Sequence, residues 1–457
     1  MPGILLLLLS LQLVLGSLPF TFASPHKKSH HTTTDLDSVS EALITGPSMR
    51  SHPSSQPHTP FSETPSTTGA LTATSVGKGI SGEEVLPAAT TYPSDGKLYN
   101  AEPGPYIPAG GVGTNGSIPV YNAKSDFDYE SLALALYQEW IELDLFQDGL
   151  QRFSVEDFKS AGLSSTDRDL IAFMAQQEVG HATMLSNILG AHAPQQCTYH
   201  YPYRNVTEFL DLCQEITRFG EAGVYGFLAH LDSREAATLL TQSVTTEARQ
   251  QLIFRQFLGL FPMPEWFETG IPQSWAWTLL APYISSCPSN QTRLGWQNFP
   301  ELRIIDQPAI LNLSSNNSNS TVSSISRRHL YRRNWKCRYA PESYPALSFP
   351  GRQVILQWDS PSSEIGPNNS YITTSQATRP KYVVWVSQLN VTYTPLRIGH
   401  GSRGYTHQPN LETYQGDPAI NGTMFIAITD HDPYLTPFNL SLINPHVIAG
   451  PAIYQAG

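Results

Sequence analysis

Charged residues, and basic ones above all, are scarce in this chain. Of its 457 residues only 14% are charged, and 27 basic residues stand against 38 acidic ones, a formal net charge of −11. A protein that binds nucleic acid needs a basic surface to release the counterions of the phosphates. The one local basic cluster, Arg327 to Arg333, is better interpreted as a solvated linker or a processing site. We therefore predict no nucleic-acid partner.

Long hydrophobic runs are also missing. The apolar run from Leu5 to Leu15 is too short for a membrane span, and the small-x-small pattern ending at Ala23 suits cleavage before Ser24. No later stretch of about 18 apolar residues occurs, and the C-terminal sequence lacks the hydrophobic tail of a lipid-anchor signal. These features predict a signal peptide at 1–23 and a secreted protein, extracellular or associated with the cell wall, without a membrane anchor.

Cysteine is rare but even in number. Four cysteines in an oxidising compartment predict two disulfides with the connectivity open, and their spacings do not support a zinc site. They are Cys197, Cys213, Cys287 and Cys337. Asn-x-Ser/Thr sequons are dense, which predicts a glycoprotein. The sequons begin at Asn115, Asn205, Asn290, Asn312, Asn316, Asn319, Asn368, Asn390, Asn421 and Asn439.

Composition divides the rest of the chain. The segment 24–100 is rich in Ser, Thr and Pro and predicts a disordered arm, whose histidines, such as His30 and His31, we interpret as solvated. We place a helical bundle with an aromatic extension at 101–300, a linker at 301–347 and a β-sandwich-like domain at 348–457.

Apolar periodicity defines the elements. Stripes at helical spacing predict four helices joined by mostly short connections, an up-and-down bundle. These are segments A to D, at about 126–150, 165–190, 206–231 and 233–259. Strand-type runs separated by Gly-, Pro- and Asn-bearing loops predict a small β-sandwich. The runs are 352–358, 381–393, 424–429 and 439–443.

Ionisable residues lie on the apolar stripes of three of these helices. Glu178 and His181 form a Glu-x-x-His pair on segment B, while Glu139 lies on the stripe of A and Glu247 on that of D. We prefer Glu139 to Glu142, which falls at the edge of its stripe. Lone buried carboxylates are costly unless something neutralises them, and a divalent metal ion does so in helix-bundle carboxylate sites.

At two positions the sequence departs from the ligand set of a complete two-metal site. Such a site takes one Glu from each of two helices and Glu-x-x-His from the other two, yet the residue three after Glu247 is Gln250, a poorer ligand than imidazole. On segment C the nearest acidic candidate is Glu221, at the edge of its stripe. The sequence predicts one divalent ion, iron or manganese. It leaves open a metal-free core in which protonated carboxyls hydrogen-bond to Gln250, Gln251 or Tyr137.

Three stretches resemble a known family. Residues 135–146, 178–181 and 247–251 resemble the ferritin-like domain shared by plant desiccation-related proteins and fungal secreted stress-response proteins, and 261–277 looks like the fungal branch. The resemblance covers about 126–300. With the strand-type runs it implies an α+β chain, a ferritin-like up-down four-helix bundle followed by a small all-β domain. Members commonly carry Glu-x-x-His on the last helix, where this chain has Gln250.

Three functions are compatible with these features. We favour a secreted, glycosylated, stress-responsive ferritin-like protein with a degenerate carboxylate and histidine site and without robust catalysis, so we assign no catalytic residue. The second is a metal-dependent oxidase or peroxide-scavenging enzyme. The third is a surface protein that binds cell-wall or extracellular glycan through its β-domain. Asp430-His431-Asp432 looks ligand-like, but it precedes Pro433 and is interpreted as a polar turn. The sequence does not define the oligomeric state.

Overall fold

A computed structural model describes residues 121–289, 291–308, 347–417 and 422–457. The predicted signal peptide, the arm, most of the predicted linker, Cys337 and six of the ten sequons lie outside these ranges. Within them the helices are α1 (Asp126–Arg152), α2 (Val155–Ser160), α3 (Ser165–Leu189), α4 (Val206–Leu228), α5 (Arg234–Leu258) and α6 (Gln273–Leu280).

The four long helices begin where polar side chains cap them. The hydroxyl of Ser164 accepts a hydrogen bond from the backbone N–H of Asp167, and the Asp167 carboxylate accepts one from the backbone N–H of Ser164. At the start of α4, the side chain of Asn205 accepts from the backbone N–H of Glu208. At the other end of α5, Gly259 takes the left-handed conformation with φ 75° that closes a helix. Helices α1, α3, α4 and α5 therefore confirm segments A to D to within a few residues.

The connection from α3 to α4 is long and runs along α1. The phenol of Tyr129, near the start of α1, donates to the carbonyl of His192, and the phenol of Tyr203 donates to Asp148 near the end of α1. The chain therefore crosses the length of the bundle before α4 begins, where most connections were expected to be short. Ferritin-like folds in general contain one such long crossover connection.

Helix α4 consequently runs antiparallel to α1, as α3 does. Its first turns lie beside the end of α1, where Gly149 has no Cβ and the ring of Phe209 occupies the space. At the other end the N–H of Ser233, which caps α5, donates to Asp128 of α1 at 3.0 Å. Helices α3 and α4 are thus parallel to each other.

A disulfide fastens the crossover. Strand β1 (Thr198–Tyr199) pairs with β2 (Ile284–Ser286), and Cys197 is bonded to Cys287 beside this pair. Among the described residues Cys213, on α4, is a free thiol with 0% exposure. Its predicted disulfide stays a prediction, because Cys337 lies outside the described ranges.

The β-region contains two four-stranded antiparallel sheets. The outer sheet has the order β3-β4-β10-β9 and the inner sheet the order β12-β11-β7-β8. The outer strands are β3 (Leu302–Ile304), β4 (Gln353–Trp358), β9 (Arg397–Ile398) and β10 (Arg403–His407). The inner strands are β7 (Tyr382–Ser387), β8 (Asn390–Pro395), β11 (Thr423–Thr429) and β12 (Val447–Gln455), and β5 (Glu364–Ile365) and β6 (Tyr371–Ile372) form a small hairpin. Strand β3 lies inside the predicted linker at 301–347, so the β-region begins earlier in the chain than the predicted residue 348.

The inner sheet is buried on both faces. Trp385 and Ile426 pack with Leu356 of the outer sheet, whereas Val384 and Phe425 belong to the core of the helical bundle. Every residue of β11 is therefore buried, and its sequence is apolar without the alternation of a half-exposed strand.

Other details of the β-region differ from the expectation, and β10 (Arg403–His407) lies outside every predicted run. The predicted strand at 439–443 lies in a 3₁₀ helix, Leu440–His446. The following strand β12 was not predicted, because Gly450-Pro451 within it has the composition of a turn. None of the helices among the described residues is long and apolar enough to cross a membrane.

Candidate metal centre

Five ionisable side chains meet in the core of the bundle. Glu139 and Glu142 come from α1, Glu178 and His181 from α3, and Glu247 from α5. Each pair on one helix is spaced by three residues, so both members lie on the same face. The four carboxylates are at most 3% exposed.

The imidazole of His181 is the hub of this cluster. Its Nδ1 lies 3.0 Å from Glu178 Oε2, 3.2 Å from Glu139 Oε2 and 3.7 Å from Glu247 Oε1. The other ring nitrogen lies 3.0 Å from the hydroxyl of Thr246. One ligand atom each from Glu139, His181 and Glu247 lies within 4.8 Å of the other two. The structure thus brings together the four side chains that the sequence placed at the site.

Glu142 belongs to the same cluster, although the sequence argument set it aside. It is 0% exposed, and its carboxyl accepts from Gln138 Nε2 at 2.7 Å and from the hydroxyl of Thr217 at 3.2 Å. The helical wheel failed here because α1 is surrounded by α3, α4, α6 and the crossover, so it has no solvent face that defines a stripe. The available signal was that apolar residues lie directly on both sides of Glu142, at Trp140, Ile141, Leu143 and Leu145.

Gln250 lies in the cluster at the predicted position. It is 2% exposed, and its Nε2 donates to Glu178 Oε1 at 2.5 Å and to Gln177 Oε1 at 3.2 Å. Its amide therefore acts as a hydrogen-bond donor to a carboxylate. In the ferritin-like pattern a histidine occupies this position.

Glu221 is buried elsewhere. It lies 3.4 Å from the guanidinium of Arg218, which also contacts Glu265 and Glu268 in the loop after α5. Arg218 is one turn earlier on α4 and neutralises Glu221 locally. The expectation that Glu221 contributes to the His181 cluster is therefore wrong.

Burial and mutual repulsion set the protonation of the cluster. Burial and the neighbouring carboxylates raise the pKa of Glu142 and of Glu247 well above the usual value, and burial raises that of Glu139 to about 7. Burial acts against charge on Glu178 and His181 too, but their mutual attraction prevails. It lowers the pKa of Glu178 and, with Glu139, raises that of His181 to about 12. At neutral pH the metal-free core thus holds a Glu178–His181 ion pair beside protonated carboxyls.

The donor atoms fit a divalent transition metal. Glu247 Oε1 and Gln250 Oε1 are buried without a hydrogen-bond partner among the described residues. Such orphaned oxygens are costly in a dry core, and a cation would satisfy them. Carboxylates with one imidazole suit iron, manganese and zinc.

The comparisons with known proteins agree with this fold. The family model described as a ferritin-like domain matches residues 126–260. Fold and site together define a ferritin-like protein, as the sequence resemblance implied. The protein rds1 of the fission yeast Schizosaccharomyces pombe is 48% identical over 357 residues, which are 78% of this chain and 87% of that protein. This chain therefore belongs to the same family as this fungal protein.

Proposed function

We propose that this is a secreted, glycosylated stress-response protein whose bundle core holds a divalent metal ion, iron or manganese, without robust catalysis. The observation that carries the metal site is the convergence of buried carboxylates on His181, with two buried oxygens left unpaired. Glu139, Glu178, His181 and Glu247 would hold the ion. The metal would supply Lewis acidity and one-electron redox chemistry.

The surrounding side chains explain why the site is a poor catalyst in this proposal. Gln250 donates to Glu178 and offers only an amide oxygen on the side where a second imidazole would stand. Thr246 fixes the His181 ring from the far side, and Gln138 and Thr217 hold Glu142 in place. These contacts orient and retain ligands, whereas none of them positions a second reactant.

Metal content tests the proposal directly. Wild-type protein from its native secretion route, the variant Glu178→Gln and the control Glu156→Gln, on the exposed face of α2, would be compared by elemental analysis. We expect about one iron or manganese per chain in wild type and control, and at least about tenfold lower occupancy in Glu178→Gln. Wild-type protein that remains metal-free after dialysis against either ion would overturn the metal site.

A second candidate is a metal-dependent oxidase or peroxide-scavenging enzyme, and Glu142 favours it. With this residue the core contains four carboxylates, whose full charge two divalent ions would balance. Oxygen- and peroxide-consumption assays on iron- and manganese-loaded protein discriminate between the candidates. Turnover that is lost in Glu178→Gln and kept in Glu156→Gln would replace the proposal of a catalytically weak site with this one.

Surface positions support glycosylation and export. The described sequons, at Asn205, Asn368, Asn390 and Asn439, are all at least partly exposed, so a glycan could be attached without disturbing the core. We expect the protein in the culture medium or wall fraction, with a lower mass after treatment with an N-glycosidase. Retention inside the cell in unglycosylated form would contradict this part of the proposal.

Exposed aromatic side chains favour the glycan partner that the sequence suggested. Trp266 is 51% and Tyr414 60% exposed, and the ring of Tyr414 lies 6.1 Å from that of Phe267. Exposed apolar patches of this kind often mark binding surfaces. The full chain should be retained on purified wall polysaccharide, less so after Trp266→Ala and equally after Tyr434→Ala, a control at another exposed ring. No retention of wild-type protein would remove this candidate.

A further inference from the structure

A second group of ligand-type side chains lies in the β-region, outside the bundle core. Asp430 follows β11 directly, His431 is next to it, and His446 comes just before β12. The Oδ1 atom of Asp430 lies 2.9 Å from His431 Nδ1 and 3.1 Å from His446 Nδ1. One ligand atom from each residue lies within 4.8 Å of the other two. The polar turn predicted at 430–432 is thus joined by a histidine 16 residues after Asp430.

The backbone holds these residues in place. Strands β11 and β12 pair up to Thr429 and Val447, and immediately beyond this pair the N–H of Asp430 donates to the carbonyl of His446 at 3.1 Å. The hydroxyl of Thr429 also donates to the carbonyl of His431 at 2.8 Å. The three side chains therefore project from the fixed end of a strand pair.

Outer contacts orient the carboxylate toward the two imidazoles. The second oxygen of Asp430 accepts from the backbone N–H of Thr378 at 2.9 Å and from its hydroxyl at 3.2 Å. Asp430 is only 5% exposed, so its orientation is fixed, and Oδ1 is left for the histidines. Hydrogen bonds that hold the ligating carboxylate from behind are a recurrent feature of metal sites.

The spacing and the exposure suit a small ion. Bonds of about 2.0–2.1 Å in a tetrahedron place neighbouring ligand atoms about 3.3 Å apart, close to the separations observed between Asp430 and the two rings. His446 is 32% and His431 57% exposed, so solvent reaches the cluster from one side. The site would have protein ligands on one side and an open position on the other.

We propose that Asp430, His431 and His446 form a surface site for a divalent transition-metal ion of the zinc class. Two imidazoles and one carboxylate are a donor set that zinc, copper and nickel accept. Three protein ligands with an open fourth position leave room for water or a further ligand. This site shares no residue with the bundle centre, so the two can be loaded and removed separately.

Titration of the full-length protein with zinc tests the site. Isothermal calorimetry would compare wild type with His431→Gln, His446→Gln and the control His400→Gln, an exposed histidine of the same region. We expect either ligand variant to lose one zinc per chain, or to bind it at least about tenfold more weakly, and the control to behave as wild type. Glu178→Gln should leave this binding event unchanged. Equal stoichiometry and affinity in all of the histidine variants would overturn the proposal.

Two further measurements secure the interpretation. Because the His431 side chain is more than half exposed, His431→Gln should melt at the wild-type temperature without zinc, which separates lost ligation from lost folding. Anomalous diffraction at the zinc edge, from crystals of the full chain, should show a peak about 2.0–2.2 Å from both Nδ1 atoms. No peak there, at zinc concentrations that saturate the titration, would also overturn the proposal.

Discussion

The protonation pattern of the bundle core can be tested by two substitutions of the same kind. Glu178 and Glu142 are both 0% exposed, and glutamine fits either site with little change in shape. Glu178 is held as a carboxylate by His181 and Gln250, whereas burial and its acidic neighbours keep Glu142 protonated. An amide imitates a protonated carboxyl but not a carboxylate. The two variants should therefore differ sharply in stability when the protein is free of metal.

The magnitudes follow from the contacts. Glu178→Gln removes the carboxylate nearest to the His181 imidazolium, and loss of one partner from a buried pair costs about 3–5 kcal/mol. We expect the lower end, about 3 kcal/mol, because Glu139 and Glu247 remain within 3.7 Å of Nδ1. Glu142→Gln can keep its contacts to Gln138 and Thr217 and should cost less than about 1 kcal/mol.

Urea denaturation of chelator-treated protein at about pH 7, followed by circular dichroism, measures both free energies of unfolding. Equal losses in Glu178→Gln and Glu142→Gln would refute the reasoning, since they would mean that the two carboxyls share one protonation state. A stable Glu178→Gln variant would likewise show that His181 is neutral in the metal-free core. The exposed-site variant Glu156→Gln controls for the loss of an acidic residue as such.

The remaining predictions concern the metal, the crossover and the last helix of the site. Removal of metal by a chelator should lower the melting temperature. Readdition of iron or manganese at 100 times its dissociation constant should restore about 2.7 kcal/mol of the free energy of unfolding, measured by calorimetry. An unchanged melting temperature would contradict a metal in the core. Gln250→His should raise the metal content toward about two ions per chain by completing Glu-x-x-His on α5, and unchanged stoichiometry in a folded variant would contradict it. Replacing Cys197 and Cys287 by serine removes a link across 90 residues and should lower the free energy of unfolding, measured by urea denaturation, by about 4.6 kcal/mol. Cys213→Ala should retain the disulfide on mass analysis.

Local signals in the sequence were sufficient to predict the four long helices, whereas the short helices α2 and α6 were not predicted. Caps such as Ser164 and Asn205 and the terminal Gly259 act within one turn of the backbone, so their effect does not depend on the rest of the fold. The same holds for the Glu-x-x-His pair, because a spacing of three residues fixes a common face in any helix. Glu139, Glu178, His181 and Glu247 could therefore be brought together from the pattern alone.

Most of the incorrect predictions arose where contacts with other parts of the chain determine whether a side chain is buried and what it contacts. Glu142 was set aside because the crossover, which hides the outer side of α1, has no local signature. Glu221 is an exception, because its partner Arg218 lies one turn earlier on the same helix and was a local signal of the ion pair. His446 could not be joined to the 430–432 turn before β12, with its Gly-Pro step, was known to be a strand.

The inner sheet has a practical consequence for anyone who wishes to study the two parts of this protein apart. One face of the inner sheet belongs to the core of the helical bundle and the other to the core between the two sheets. Dividing the chain within 309–346 would separate the sheet from the helices and expose the first of these cores. Helices produced without the sheet would expose to water the apolar side chains that the sheet covers. Strands produced without the helices would expose the apolar face of the sheet that packs on the bundle. Both fragments should therefore aggregate. A unit made for expression should therefore contain both the helices, from α1 onward, and the strands through β12.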